Sequence, residues 1–433
     1  MRIFSSINLL WLISAITLTT ISHLVFKGIP KLEDGLPYIL FHIIYLFLIL
    51  ILKTCFKFRN SPLNIWVYIF GVLAIMTSKP IYENDHYRYL WEGRILLHGK
   101  NPYVLPPNSE KLKDIKFDTR EKIGFSHLTT IYPPIALLLF ASGGVLSSSH
   151  HVGVLFLMFL NALLVYYLFR YLEDILKSKW LLILMFPYFQ KEFIQSVHID
   201  LLAFIFVFIF LINKYSEFNK NAFFILSSIF TKIIGVFFVW PLFLMYFSKY
   251  KRNWSFWIII IGLLGSFPGF YLYLKSIGGI SGYTAFSGNW VWNPGFYSIL
   301  WRGLDLSEEL ARKVSLITLL FYIGIIGFIS LYQFKKEKFN LSKKSFYLIT
   351  YLFFSGLVFF SPVYNSWYAI WFLIPALLLD LKSGVLYAFF SITCYVSFWN
   401  KDALPFAELI GHFFFIPSLI EIYFINKRSN VIK

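Results

Sequence analysis

An all-α, polytopic integral membrane protein with about 12–14 transmembrane helices and some re-entrant segments is the fold class that this 433-residue sequence predicts. Three observations carry the prediction. The chain is 58% hydrophobic and only 14% charged, with a mean hydropathy of +0.67, where a soluble domain is nearer half apolar and a quarter charged. Apolar runs of the length needed to cross about 30 Å of hydrocarbon follow one another along almost the whole chain. Lys and Arg concentrate in certain short connections between those runs, the bias that orients membrane proteins. Such a composition excludes a disordered chain, a disulfide scaffold and an ordinary soluble enzyme.

Taken in order, the runs lie near 7–26, 37–56, 63–80, 131–148, 151–170, 193–213, 254–274, 313–333, 345–361, 366–382, 384–399 and 405–425. The first has no small-residue cleavage site and reads as a retained anchor. Residues 180–189 are too short to span and suit a re-entrant piece. Residues 221–248 are long and interrupted by Lys232, so they read as one helix or as two half-helices. Lys53, Lys57 and Arg59, then Lys249, Lys251 and Arg252, then Lys335, Lys336, Lys338, Lys343 and Lys344, and finally Lys427, Arg428 and Lys433 all fall on one side if both termini are cytoplasmic. The polar loop 81–130 then lies on the extracytoplasmic face, together with 275–312, 361–366 and 399–404. His198 and Asp200 join that face if 180–189 is re-entrant and leave it if 180–189 crosses.

The formal charge of +17 fits cytoplasmic loops and anionic headgroups, and so points to membrane lipids and not to nucleic acid. Cys55 and Cys394 both sit in apolar runs, which gives neither a disulfide framework nor a zinc spacing. No glycine-rich nucleotide loop follows a strand.

Residues 84–103 read NDHYRYLWEGRILLHGKNPY. Asp85, Arg88, Glu92 and Arg94 are interleaved with Tyr87, Tyr89, Trp91 and aliphatic residues, the pattern of an amphipathic helix at headgroup level. Gly99 would stop it, and Asn101-Pro102 would turn the chain. Asp85 opens this helix, where a carboxylate is favoured by the helix dipole and can also reach a substrate at the interface.

This string resembles the first external loop of the glycosyltransferase C superfamily. It is most similar to bacterial α-mannosyltransferases that use polyprenyl-phosphate mannose, whose loops look like DDxYRYLWDGR…HGxNPY. Tyr87 to Trp91, Gly93-Arg94, His98-Gly99 and Asn101-Pro102-Tyr103 match, and Glu92 replaces an Asp. Tyr132-Pro133-Pro134, His198-Ile199-Asp200, Lys232, Trp292-Asn293-Pro294 and Trp367 to Trp371 carry weaker similarity. The resemblance thus covers 63–433, with catalytic loop 81–130, and leaves 1–62 as two additional N-terminal helices. Asn84 stands where the family has the first acid of a pair, and Val197 and Ile199 replace Gly and Asn of a GHND patch.

The resemblance implies an inverting transfer of a hexose, most simply mannose, from a polyprenyl-phosphate donor to a lipid-linked or cell-surface glycan, at the outer face of the cytoplasmic membrane. It implies Asp85 as the base. Arg88, Arg94 and Lys232 are candidates to bind the donor phosphate. Tyr89, Glu92, His198 and Asp200 are further candidate substrate contacts. Each has a plainer reading: Arg88 and Arg94 as lipid-phosphate contacts, Lys232 as a snorkelling lysine, His198 and Asp200 as an interhelical polar pair, Glu92 as a solvated face residue. No metal ligands and no cofactor are expected, and participation of a divalent ion is left open. A transporter or flippase, and a polymerase or ligase of polyprenyl-linked saccharides, are the alternative functions.

Overall fold

The computed structural model describes residues 6–27, 35–55, 62–147, 149–212, 217–338, 341–398 and 403–431. Lys57 and Arg59, used to orient the second run, lie outside the described residues, as do 399–402 of one expected outer loop. Among the described residues the regular elements are helical, with one isolated bridge between Trp292 and Val363. Among the described residues, seven helices are long and apolar enough to cross a membrane, or eight if the bent pair Phe186–Gln195 and Asp200–Ile212 is one span. This is the architecture of a multi-pass membrane protein, with fewer uninterrupted spans than the apolar runs suggest. The runs are broken internally. Val197 turns the chain at a φ of +54°, and Lys232 is extended between two helices.

Contacts define two ends of the bundle. At one, Lys53 lies 3.9 Å from the centre of the Trp180 ring, Glu173 accepts from the Leu63 amide at 3.0 Å, and Phe218 packs on Tyr250. Lys249, Lys251 and Lys335 belong to this end through their neighbours Tyr250 and Phe334. At the other, Thr129 meets Ser281, Trp292 pairs with the 362–364 backbone, and His86 meets His150. The loops 81–130, 275–312 and 361–366 therefore share an end, as expected.

Two passes differ from the sequence reading. The run 131–148 forms the helix Pro134–Leu146, whose 13 residues reach only about 20 Å. It lies along the helix Asp85–Leu97. Tyr89 stacks on Phe140 at 4.4 Å, and a Cβ on Gly93 would strike the Phe140 and Ala141 backbone. Both of its ends stay near the Asp85 helix, so it is not a span. Conversely, 180–189 does not return to its starting end. Lys179–Leu184, Phe186–Phe189 and the π-helical turn Gln190–Gln195 carry the chain from Lys53 to the Asp85 end, and the chain then bends by 116° into Asp200–Ile212. The first difference would move His198 and Asp200 to the far end, and the second brings them back.

Residues 221–248 are two pieces. Phe218–Thr231 and Val239–Tyr250 fold back on one another, with Asn221 donating to the Tyr246 hydroxyl at 2.6 Å. Lys232 sits at the reversal.

Candidate active site

The helix Asp85–Leu97 begins directly after the third pass. Asn84 occupies the N-cap position without capping through its side chain, so Asp85 is the first helical residue. Its carboxylate is half-buried and makes no hydrogen bond or ion pair to any described residue. Burial pushes this carboxyl above its ordinary range and Glu83 adds to the shift. His198, Arg88 and Lys232 pull the other way, which sets all four within electrostatic reach of it.

One turn on, both terminal nitrogens of Arg88 are engaged. It donates to Glu92 Oε1 at 2.9 Å, to the Phe125 carbonyl at 2.7 Å and to the Leu128 carbonyl at 3.2 Å, and so clamps 124–128 onto the helix. Glu92 is buried, not solvated, and accepts from Thr130 at 2.6 Å as well. Desolvation raises its carboxyl above the ordinary range even with Arg88 opposing. Tyr89 is buried against Phe140 and Tyr132. Arg94 lies nine residues beyond Asp85, about 13 Å along the axis, with its Nε buried and unpartnered. These residues build the helix into the fold, and Arg94 does not share the Asp85 neighbourhood.

Lys232 does share it. Its ammonium meets Asp200 Oδ2 at 2.5 Å and lies over the Tyr368 ring at 4.2 Å, with the side chain still 23% exposed. Trp371 donates to the other oxygen of Asp200 at 2.9 Å and fixes that carboxylate. Asp200 opens its helix, as Asp85 does. Two carboxylates at helix starts thus flank one partly accessible cation.

Beneath this layer is a centre that the sequence reading missed. Lys191 is fully buried, and its ammonium donates to both oxygens of Glu83, at 2.6 and 2.7 Å, and to the Tyr395 hydroxyl. Glu192 lies 3.3 Å from the same ammonium and accepts from Ser366 at 2.5 Å and from Tyr395 at 2.9 Å. His198 is stacked on Trp367 with ring centres 3.7 Å apart, and its Nε2 faces Glu192 at 3.5 Å and Glu83 at 3.8 Å. Burial alone would raise the Glu83 carboxyl, but Lys191 and His198 hold it down at about 2. Glu83, Glu192 and His198 offer ligand atoms within 4.8 Å of one another, the one group among the described residues with a metal-ligand set. The available signal was Lys191-Glu192, two adjacent charges between apolar runs.

The structure thus brings Asp85, Lys232, Asp200, His198 and Tyr89 together, uses Arg88 and Glu92 as a brace, and leaves Arg94 apart. No family model, curated protein or solved structure matches the chain.

Proposed function

We propose that the chain is a membrane glycosyltransferase that moves a hexose, mannose in the simplest case, from a polyprenyl-phosphate donor to a glycan or glycolipid acceptor by inverting displacement, on the extracytoplasmic face of the cytoplasmic membrane. The observation that carries this reading is Asp85: a half-buried carboxylate without a hydrogen-bond partner among the described residues, at a helix start, within reach of the Lys232 ammonium. Nearly every other acid near it is neutralised, so this one is kept for something else.

In the reaction, the acceptor oxygen forms its bond to the anomeric carbon as the bond from that carbon to the phosphate oxygen breaks. Asp85 takes the acceptor's hydroxyl proton. The electron pair of the broken bond leaves on the polyprenyl phosphate, and Lys232 stabilises the growing charge. Of the three basic candidates, Lys232 suits this role best, because Arg88 has both terminal nitrogens engaged and Arg94 is remote. Tyr368 and Trp367 offer aromatic faces beside the same residues.

A second reading, transport of a lipid-linked sugar, has one observation in its favour: ionisable residues buried within a membrane bundle commonly mark transport or proton paths, and Lys191 and Glu192 are such residues. One experiment separates the two. Purified protein in proteoliposomes is given radiolabelled polyprenyl-phosphate mannose and a panel of lipid-linked acceptors. Transfer predicts label on an acceptor with release of polyprenyl phosphate. Label that changes leaflet while the donor stays intact would support transport and overturn the proposal.

A further inference from the structure

We propose that Lys191 is a built-in cation that fills a latent divalent-metal site formed by Glu83, Glu192 and His198. The inference does not depend on the glycosyltransferase reading. Glu83 comes from the loop after the third pass, and Glu192 and His198 come from one stretch at the bend before Asp200, where the His198 backbone N–H donates to the Glu192 carbonyl at 3.3 Å, and the donor atoms of all three converge within 4.8 Å. Two carboxylates and an imidazole are an ordinary ligand set for zinc or manganese. His198 supplies the second, independent sign. It is fully buried and aimed at both carboxylates, and neither of its ring nitrogens has a hydrogen bond of good geometry among the described residues. An imidazole left so is rare in a packed interior.

The ammonium explains why the ligand set is not itself a metal centre. A lysine has three N–H donors. Those of Lys191 go to Glu83, the Tyr395 hydroxyl and, more weakly, Glu192, and the Tyr395 ring adds its face at 4.0 Å from the nitrogen. The ammonium sits on the carboxylates a metal would need, so the two cations compete for one place. Lys191 therefore acts as a positioning residue. It ties Glu83, two residues before Asp85, to the membrane-buried segments that carry Glu192 and Tyr395. Removing the ammonium would leave two neighbouring carboxylates uncompensated, and a divalent ion is the nearest chemical replacement.

The test uses the full-length protein in detergent, with metal content read by mass spectrometry and the thermal midpoint read by intrinsic fluorescence. Wild type after treatment with EDTA is expected to hold far less than one divalent ion per chain, and its midpoint should not move on adding manganese or zinc. Lys191→Ala is expected to melt several degrees lower, to bind about one zinc or manganese ion per chain, and to recover most of the lost midpoint on doing so. Lys191→Ala combined with Glu192→Gln should lose that recovery, and Lys191→Arg should stay insensitive to metal. Wild type that carries one tightly held divalent ion, and melts lower when it is stripped, would overturn the proposal. So would a folded Lys191→Ala protein that gains no ion and no stability. If Lys191→Ala does not accumulate, Lys191→Met is read in its place by the same two measurements: about one bound zinc or manganese ion with a recovered midpoint is expected, and a folded protein that gains neither would overturn the proposal.

Discussion

Glu83 and Asp85 are two carboxylates two positions apart, and the fold treats them in opposite ways. Glu83 is saturated. It takes two hydrogen bonds from Lys191 and one from Ser196 at 3.1 Å, and its carboxyl is held at about 2. Asp85 has no hydrogen-bond partner among the described residues, and its carboxyl is pushed up. Residues differing so little in sequence position end in such different states because a helix begins between them. Glu83 points down into the passes, and Asp85 starts the interfacial helix. The lesson is that charge in a membrane protein must be sorted by whether its hydrogen-bonding capacity is spent. Spent groups hold the fold, and unspent groups at an accessible place are the ones available for chemistry.

Four predictions can break or sharpen this contrast. Asp85→Asn should lower transfer by about 100-fold to 10,000-fold, the usual scale of general-base catalysis, with the thermal midpoint unchanged. A matching loss of stability would put Asp85 among the structural groups. Glu192→Ala should do the reverse. It breaks a buried ionic centre, at a cost of roughly 3–5 kcal/mol, visible as poor accumulation or a much lower midpoint in detergent. Arg88→Ala should cost about 2–3 kcal/mol, because it leaves Glu92 buried with Thr130 alone and frees 124–128. Limited proteolysis near Phe125 reads that release. Trp371→Phe should cost about 1 kcal/mol by removing one donor to Asp200, and should weaken donor binding only slightly.

Acid should separate the same two residues. A carboxyl depressed in the folded state stabilises the fold above its unfolded value near 4.3, and that contribution is lost as pH falls toward about 2. The midpoint difference between wild type and Glu83→Gln should therefore stay constant down to about pH 5 and narrow below it, and a difference that does not narrow would contradict the depressed carboxyl.

Much of the fold was legible in the apolar runs, because a membrane leaves helices as almost the only way to satisfy the backbone. The loop 81–130 and its partners 275–312 and 361–366 follow from hydropathy and charge alone, whereas the interruption at Lys232 left one helix or two half-helices open until the extended backbone there decided it. The errors came where run length misled. Residues 131–148 look like a span because the helix they form is buried on the Asp85 helix through Gly93 and Gly144, and protein interior is as apolar as lipid. Residues 180–189 look too short because the pass is completed by Gln190 to Gln195, whose polar side chains are buried against partners elsewhere: Gln190 donates to the Trp11 carbonyl, Lys191 to Glu83 and Gln195 to the Ser78 hydroxyl. At the site, Lys232 stood out as a charge inside an apolar run, and Asp85 through the resemblance of the string that it opens. Glu83 and Lys191 did not, since their pairing joins positions 108 apart in the chain, and no local pattern records such a contact.

The central claim, that the unpartnered carboxylate of Asp85 is the base for sugar transfer, is tested most directly by the pH dependence of single-turnover transfer in wild type and in Asp85→Asn. A base must be ionised to work, so the wild-type rate should climb with pH through one apparent pKa above the ordinary carboxylate range and then level off. Asp85→Asn should be slow and lack that climb. A variant that keeps the wild-type rise, at any overall rate, would assign the proton transfer to another residue.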